Sequence, residues 1–269
     1  MIQSSSHDPS IAGDLIADPR RIRASALLLV GRNRGFLSSL VFFLLMLAAF
    51  AIFSPGVFLH SAVYTAVFVS LPIFLMLTVG LVFVVVAGEI DLAFPSTVGM
   101  CAYVFSGAVS NGWSPFLGLL LAVMCGLVIG SINGILVTYV KLSSLVATLG
   151  MQFLLFGIIN VLSNGNGITL DALASTRFYS LFVGTVGTFP AQMFWGIAFA
   201  GLALYLFTHN RFGSRVCCVG DNAEAAKAMG IDARWVKIQT FMFMGFASAL
   251  AGVLAVLVDN SFYPTTGQG

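Results

Sequence analysis

The sequence predicts an all-α protein, a bundle of helices that crosses a membrane several times. Hydrophobic residues make up 59% of its 269 residues and charged residues only 8%, whereas soluble domains carry about 25% charged residues. The mean hydropathy is +1.01. So few charges cannot cover a soluble surface, and lipid must therefore solvate most of the chain. This composition excludes a disordered chain, a basic nucleic-acid-binding domain and a water-soluble enzyme.

Seven apolar stretches stand out, because a spanning helix needs about 20 apolar residues. They cover residues 36–54, 61–87, 93–110, 115–139, 145–162, 191–208 and 238–258, and none contains Lys, Arg, Asp or Glu. They lack the alternation of apolar and polar residues that barrel strands show. A helix also satisfies its own backbone hydrogen bonds in lipid. We therefore predict about seven membrane-spanning helices.

The basic residues predict the orientation of the chain. Residues 1–35 are polar and end in GRNRG, and we interpret them as a cytoplasmic N-terminal tail. The other inside segments are then 88–92, 140–144 and 209–237. Together these four segments hold 11 of the 12 Lys and Arg residues, and only Arg177 falls outside. The positive-inside rule predicts this arrangement, with the N-terminus in the cytoplasm.

Side chains for metal or nucleotide chemistry are sparse. Cys101 and Cys125 lie within apolar stretches, Cys217 and Cys218 lie in an inside segment, and the three histidines are scattered. This pattern predicts no metal site. The chain has no phosphate-cradling Gly-x-x-x-x-Gly-Lys-Ser/Thr loop, so we expect no ATP hydrolysis by that chemistry, no catalytic residue and no cofactor in this chain.

Inside segment 209–237 contains a predicted helix of about two turns. Asp221 is its predicted N-cap, with Glu224 as the reciprocal capping partner, and Gly230 stands where a C-terminal cap belongs. The residues between them are mostly good helix formers. The helix is either an ordinary surface helix or a small, smooth surface that another protein can bind. The surface comprises Ala225, Ala226, Ala228 and Met229.

Three stretches resemble bacterial ABC-transporter permeases. The shared signature of their cytoplasmic coupling segment is Glu-Ala-Ala, three residues and Gly, and this chain has EAAKAMG from Glu224 to Gly230. The flank RFGSRVCCVGDNAEAAKAMGI resembles the form in ribose/xylose-type sugar permeases. VVVAGEIDLAFPSTVG at 84–99 and NGILVTYVKLSSLVATLG at 133–150 are similar to that family's Gly-Gly-Ile-Asp-Leu-Ser-Val-Gly and Asn-Gly…Thr-Leu-Gly stretches. The resemblance runs from about residue 40 to the end.

The resemblance implies a permease subunit of an ATP-driven importer in the bacterial inner membrane, carrying a monosaccharide. It implies a permease domain over 36–269 with a cytoplasmic coupling loop, residues 209–237. The implied partners are cytoplasmic ATPase subunits that hold ATP and magnesium, a periplasmic sugar-binding protein and a second permease subunit, identical or different. The implied ATPase-coupling residues are Asp221, Glu224, Ala225, Ala226 and Gly230.

The chain departs from the family pattern in two segments. Glu89 stands where the family usually has Gly, and Ala93-Phe94-Pro95 replaces Ser-Val-Gly. Pro95 is expected to start or kink a helix. Family members also continue beyond PTTGQG with further spans, so we expect a C-terminally truncated product or fragment.

Glu89 and Asp91 lie at the boundary of a predicted span, where carboxylates are costly unless they are solvated or paired. In one interpretation they solvate the inside turn 88–92. In the other, GEIDL is a break in a helix that lines the transport path or lies buried at its gate.

Uncharged polar residues and glycines within the spans predict protein-facing surfaces. In lipid, such polar residues face other helices or a path, and here they are Asn133, Gln152 and Asn160. The Gly-xxx-Gly spacing of Gly126, Gly130 and Gly134 predicts close helix contact. That contact lies either within one chain or at a dimer seam.

Two other classes of function compete with the importer subunit. A secondary carrier or channel for a small polar solute would be favoured by charged residues within the spans, which the sequence lacks. A membrane-embedded enzyme would need a cluster of His, Asp or Ser at a membrane face, and the sequence shows none.

Overall fold

The computed structural model of the chain describes residues 34–58, 60–187 and 189–268. The predicted cytoplasmic tail lies outside the described residues, except for its last two positions, which begin a helix. The chain divides into a first unit of residues 1–63 and a second unit of residues 64–269.

The described part of the first unit contains two helices and the beginning of a third. Helix α1 covers Arg34–Phe53, and α2 is a single turn, Pro55–Phe58. Large apolar side chains project from α1 on several sides, as lipid contact requires. Helix α3, Ser61–Val86, begins here and continues into the second unit.

The second unit holds the rest of the described elements. Its long helices after α3 are α4 (Phe94–Ser110), α5 (Pro115–Thr138) and α6 (Ser144–Ser163). A connection follows with β1 (Ile168–Thr169), a 3-10 turn (Asp171–Leu173), α7 (Arg177–Val183), β2 (Thr185–Val186) and β3 (Phe189–Pro190). The chain then forms α8 (Ala191–Thr208), α9 (Arg211–Asp221), α10 (Ala223–Ala228), α11 (Ala233–Asp259) and β4 (Ser261–Phe262). Strand β1 pairs antiparallel with β4, and β2 with β3.

Five of the described helices are long and apolar enough to cross a membrane. They are α3, α5, α6, α8 and α11, and they confirm the predicted all-α, polytopic membrane bundle. The predicted number of seven spans is not confirmed. Helix α1, Arg34–Phe53, and helix α4, which has 17 residues, are not among these five.

Helix α11 lies at the centre of the second unit. Phe241, Met244 and Ala247 on α11 are inaccessible to solvent. The glycine ridge of α5 lies directly against this helix, because Cβ atoms added at Gly126 and Gly130 would collide with the carbonyl oxygens of Gly245 and Phe241. The Gly-xxx-Gly face therefore packs within the chain, and α11 occupies the surface that a dimer seam would need.

Candidate functional site

The coupling loop is helical along most of its length. Asn210, Asn222 and Asp232 precede α9, α10 and α11, and the side-chain oxygen of each accepts hydrogen bonds from backbone N–H groups of the helix that follows. Asn and Asp are favoured N-caps because they satisfy N–H groups that lack a partner within the helix. Three caps in 23 residues divide the loop into three short, well-defined pieces.

The predicted cap at Asp221 is wrong. Asp221 is the last residue of α9, and Asn222 caps α10 by accepting from the N–H groups of Glu224 and Ala225, each at 3.0 Å. The predicted reciprocal bond from Glu224 has no available donor at this cap. The N–H of Asn222 already donates to the carbonyl oxygen of Cys218.

The predicted C-terminal cap at Gly230 is confirmed. Gly230 has a φ of 79°, in the left-handed region that favours glycine. Its N–H donates to the carbonyl of Lys227, and the next N–H, of Ile231, reaches back to the carbonyl of Ala226. Both bonds satisfy carbonyl groups at the end of α10, so the helix ends sharply and the chain turns into α11.

Helix α9 was not predicted from the sequence. It places Val216 and Val219 in the core and leaves Ser214 and Arg215 exposed. The signal was the spacing of its apolar residues, which follows the helical period over only two turns. Gly220 allows α9 to approach α3 closely, since a Cβ there would collide with the carbonyl oxygen of Val86.

Ala226 lies in the core and not on the exposed surface that the sequence predicted. Its side chain belongs to a buried cluster at the junction of the coupling loop with α3, α8 and α11. The cluster comprises Phe83, Ala87, Ala203, Val216, Val219, Ala226 and Val236. The other predicted coupling residues, Asp221, Glu224, Ala225 and Gly230, are exposed. Ala226 thus anchors α10 while its neighbours face outward.

A groove of about 670 Å³ runs beside α10. Glu224, Lys227 and Gly230 line it on the α10 side. Tyr139 and Arg234 line it too, and the Arg234 guanidinium lies over the Tyr139 ring, 5.5 Å from its centroid. The groove therefore offers charges of both signs and an aromatic face, which suits a protein surface better than an apolar ligand.

The segment GEIDL, residues 88–92, is a non-helical break between α3 and α4. Its backbone is hydrogen-bonded to side chains in the first two turns of α6. The N–H of Ile90 donates to Ser144 Oγ at 3.2 Å, and the N–H of Leu92 donates to Thr148 Oγ1 at 3.0 Å. Backbone outside a helix must find such partners when it is buried. Sequence reasoning missed both hydroxyls, although they lie four residues apart on one helix face.

Asp91 is buried within this break. Only 5% of the residue is exposed, and Oδ1 accepts from the N–H of Ala93 at 2.8 Å. Burial raises the pKa of the Asp91 carboxyl to about 6, while hydrogen bonds from the N–H groups of Ala93 and Phe94 lower it. The interpretation in which this carboxylate solvates an exposed turn is therefore wrong.

Glu89 forms an ion pair with Lys237 of α11, with 2.5 Å between Nζ and Oε1. The exposed fractions of the two side chains are 12% and 24%, so the pair is largely shielded from water. Lys237 was not among the predicted site residues. Nothing in the local sequence signals the contact, because the two residues are 148 positions apart.

A second groove, of about 580 Å³, opens between α3, α4, the end of α11 and the turn 263–268. One part is apolar. The polar lining residues are Thr78, Asp259, Tyr263, Thr265, Thr266 and Gln268. Gln268 Nε2 also donates to Ser96 Oγ at 2.9 Å, which holds the turn against α4. Phe94 and Pro95 line the groove as well, so it borders the GEIDL break.

The structure does not bring the five predicted path residues together. Glu89 and Asp91 share the break, whereas the other three lie on α5 and α6 and do not line the second groove. Asn133 is 1% exposed, and its Oδ1 has no partner among the described residues. Asn160 donates to the carbonyl of Phe156 at 2.8 Å, and Gln152 is half-buried. Sequence reasoning also missed Gln192, a buried amide whose Oε1 has no described partner.

The described residues contain no group of three or more His, Cys, Asp or Glu side chains that could hold a metal ion. The four cysteines are free thiols: Cys101 is buried, and Cys125, Cys217 and Cys218 are half-buried. The expected absence of a cofactor in this chain stays a prediction.

Comparisons with known proteins place the chain among transport permeases. Residues 63–269 match the family described as "Branched-chain amino acid transport system / permease component". The chain is 30% identical over 217 residues to the autoinducer 2 import system permease protein LsrC of Salmonella typhi, covering 79% of this chain and 60% of that protein. It is 28% identical over 211 residues to LsrC of Yersinia pseudotuberculosis serotype O:3, covering 77% and 58%. The chain thus spans about 60% of the length of the Salmonella relative, and no solved structure matches it.

Proposed function

We propose, from the premise that this chain belongs to the branched-chain amino acid transport system / permease component family, that it is the membrane-spanning subunit of an ATP-driven importer. It is a multi-pass protein of the bacterial inner membrane and a transport subunit rather than an enzyme. We place its N-terminus in the cytoplasm, where the basic residues of the inside segments also fall.

The observation that carries this proposal is the geometry of α10. The helix is capped at both ends, and Glu224, Ala225 and the capping residue Gly230 are exposed. Ala226 is the one buried residue of the helix and anchors it to the transmembrane helices. A partner that pushes on the exposed face moves a rigid element and not a flexible loop. Because α10 leads directly into α11, the most buried of the five spans, that movement reaches the centre of the bundle.

The proposed partners are those that membership of the permease family implies. Cytoplasmic ATPase subunits dock along α10 and the groove beside Tyr139 and Arg234, and they supply the ATP and magnesium. A second permease subunit completes the path, and a periplasmic binding protein delivers the solute. Closure of the ATPase pair displaces the coupling loop, and the attached spans tilt as rigid bodies to give alternating access.

The solute is a monosaccharide or a molecule of similar size and polarity. The second groove supports this choice, because it combines hydroxyl, amide and carboxylate groups with the aromatic ring of Tyr263. Sugar hydroxyls need such donors and acceptors beside an apolar or aromatic surface. The matched relatives are named as autoinducer 2 import permeases, and autoinducer 2 is therefore the second solute to test.

The test uses cells or vesicles that contain the chain with the ATPase and binding-protein subunits encoded by the same genome. Glu224→Lys reverses an exposed charge on α10, and Gly230→Leu places a side chain where φ is 79°. Both variants are expected to enter the membrane in normal amounts. Uptake of labelled monosaccharides or autoinducer 2 is expected to fall about tenfold or more, which corresponds to an increase of about 1.4 kcal/mol or more in the activation free energy of transport.

Asp171→Lys is the matched control. It makes the same kind of charge change on an exposed residue in the connection between α6 and α7, far from the coupling loop in sequence. It is expected to transport normally. Normal uptake together with normal ATP hydrolysis in Glu224→Lys and Gly230→Leu would contradict the proposed function, as would failure of the ATPase subunit to copurify with the unmodified chain.

A further inference from the structure

The ion pair of Glu89 and Lys237 joins two parts of the molecule that the proposed function treats separately. Lys237 lies in the second turn of α11, five residues after the cap that separates α11 from the coupling helix α10. Glu89 lies in the GEIDL break, the only described non-helical connection between α3 and α4. The pair therefore connects the moving end of the coupling loop to the break.

On the α11 side, the attachment to the coupling loop is firm. Val236, the residue before Lys237, is buried in the same cluster as Ala226 of α10. Asp232 caps α11 by accepting from the N–H groups of Arg234 and Trp235. A displacement of α10 therefore carries the first turns of α11, and with them the Lys237 ammonium.

On the break side, the pair acts beside other restraints: the N–H of Glu89 donates to the carbonyl of Val84 at 3.1 Å, and Asp91 and Ala93 are buried. Helix α3 ends at Val86, and Gly88, with a φ of 81°, turns the chain away from the helix. Beyond Glu89, the segment is held by the two hydroxyl acceptors of α6, Ser144 and Thr148. Such hydrogen bonds contribute modestly to stability and can exchange. Among the described residues, the ion pair is the one contact between charged side chains that the break makes.

The burial of the pair suits a contact that forms and breaks. Exposed pairs contribute little, because water and salt screen them. A fully buried pair cannot separate without leaving a charge in a low-dielectric interior. With exposed fractions of 12% and 24%, each side chain keeps a path to water. Both can therefore be solvated when they part, while their attraction remains stronger than at a surface.

We propose that the Glu89–Lys237 pair transmits movement of the coupling loop to the GEIDL break, and that both are positioning residues for transport. This inference rests on the proposed function. The break leads directly into Phe94 and Pro95, which line the second groove. When α11 carries Lys237 away, the break loses its ion pair to α11 but keeps its hydrogen bonds to Ser144 and Thr148. The groove lining can then shift, and it returns when the pair re-forms.

The first experiment needs only the purified chain in detergent micelles or nanodiscs. Hydrogen exchange is measured on peptides covering 87–95, whose Ile90 and Leu92 amides donate to hydroxyl groups. Glu89→Gln and Lys237→Met are expected to speed exchange of these amides about tenfold. This effect lies between the small effect of breaking an exposed ion pair and the large effect of breaking a fully buried one. The charge-swapped double variant, E89K/K237E, is expected to restore exchange to within about threefold of the unmodified chain.

Lys227→Met is the matched control for Lys237→Met. It removes the same charge from an exposed lysine of α10 that forms no ion pair with any described residue. It is expected to leave exchange in the break unchanged. A second measurement follows solute imported per ATP hydrolysed in the assembled importer. This ratio is expected to fall in Glu89→Gln and in Lys237→Met and to recover in E89K/K237E. A purely structural role of the pair does not predict this recovery.

The outcomes of the two experiments separate the proposed role of the ion pair from the proposed function of the chain. Exchange at the unmodified rate in Glu89→Gln and Lys237→Met would overturn the proposal, and so would a charge swap that fails to restore protection. Restored exchange without a restored transport ratio would remove the link to transport. Absence of uptake by the unmodified chain would count against the proposed function instead, while the exchange data would still decide whether the pair holds the break.

Discussion

Replacing Gly130 with alanine is expected to destabilise the bundle, because α5 and α11 touch backbone to backbone at this glycine. An added Cβ would lie 2.8 Å from the carbonyl carbon of Phe241 and 2.9 Å from the Cα of Met242. It would also collide with the Phe241 carbonyl oxygen. All three atoms belong to the backbone of the central helix, so no side chain can rotate away to make room.

The expected cost follows from these distances. Non-bonded carbon atoms prefer separations of about 3.5–4.0 Å, so α5 and α11 must move apart by roughly 1 Å. That separation also loosens the glycine contacts one turn away at Gly126 and Gly134, where an added Cβ would also collide with α11. Overpacking a well-packed interior costs about 1–3 kcal/mol. Because the seam lies at the centre of the second unit, we expect about 3 kcal/mol.

The assay is equilibrium unfolding in mixed micelles, followed by the fluorescence of the three tryptophans. Gly150→Ala is the matched control, since Gly150 is also a helical glycine, in α6, but an added Cβ there meets no atom within 4 Å. It changes only helix propensity and is expected to leave stability unchanged or to raise it by about 0.5–1 kcal/mol. Equal stability of the Gly130→Ala and Gly150→Ala variants would refute the backbone contact between α5 and α11.

Two further predictions concern the caps and the break. Asn222→Ala is expected to lower the free energy of unfolding by about 1 kcal/mol and to speed hydrogen exchange of the Glu224 and Ala225 amides. Asp221→Ala is expected to change neither quantity. A larger effect of Asp221→Ala than of Asn222→Ala would contradict the observed cap. Because the pKa of Asp91 is about 6 in the folded chain and 3.8 ordinarily, the folded state holds its proton more tightly than the unfolded state. The contribution of Asp91 to stability is therefore expected to be highest below about pH 4 and to fall as the pH rises towards 6. Asp91→Asn is expected to remove this fall. The measurement is the free energy of unfolding of both proteins across this pH range.

The positions of the long helices could be predicted closely from the sequence. The predicted span 115–139 is observed as Pro115–Thr138, and 191–208 as Ala191–Thr208. Lipid imposes this agreement, because a helix in hydrocarbon must be apolar along its whole length wherever its neighbours lie. The turn at Gly230 could be predicted for a similar reason, since a left-handed residue at the end of a helix is a local requirement.

The details of the candidate site could be predicted only in part. Asp221 and Asn222 are both good caps, and the sequence does not distinguish them. The choice follows from α9, which runs through Asp221 because Val216 and Val219 pack into the core and keep the helix in register. Burial of Ala226 has the same origin, since it joins a cluster whose other side chains come from α9, α11 and the ends of α3 and α8.

The sequence by itself determined that this chain is a lipid-embedded helical bundle, because hydropathy sums over neighbouring residues and needs no knowledge of which helices meet. Only the tertiary structure decided that Glu89 pairs with Lys237, that Ser144 and Thr148 hold the break, and that the glycines of α5 face α11. These contacts join residues far apart in the chain. They depend on which helices lie side by side, and almost any apolar helix satisfies the lipid equally well.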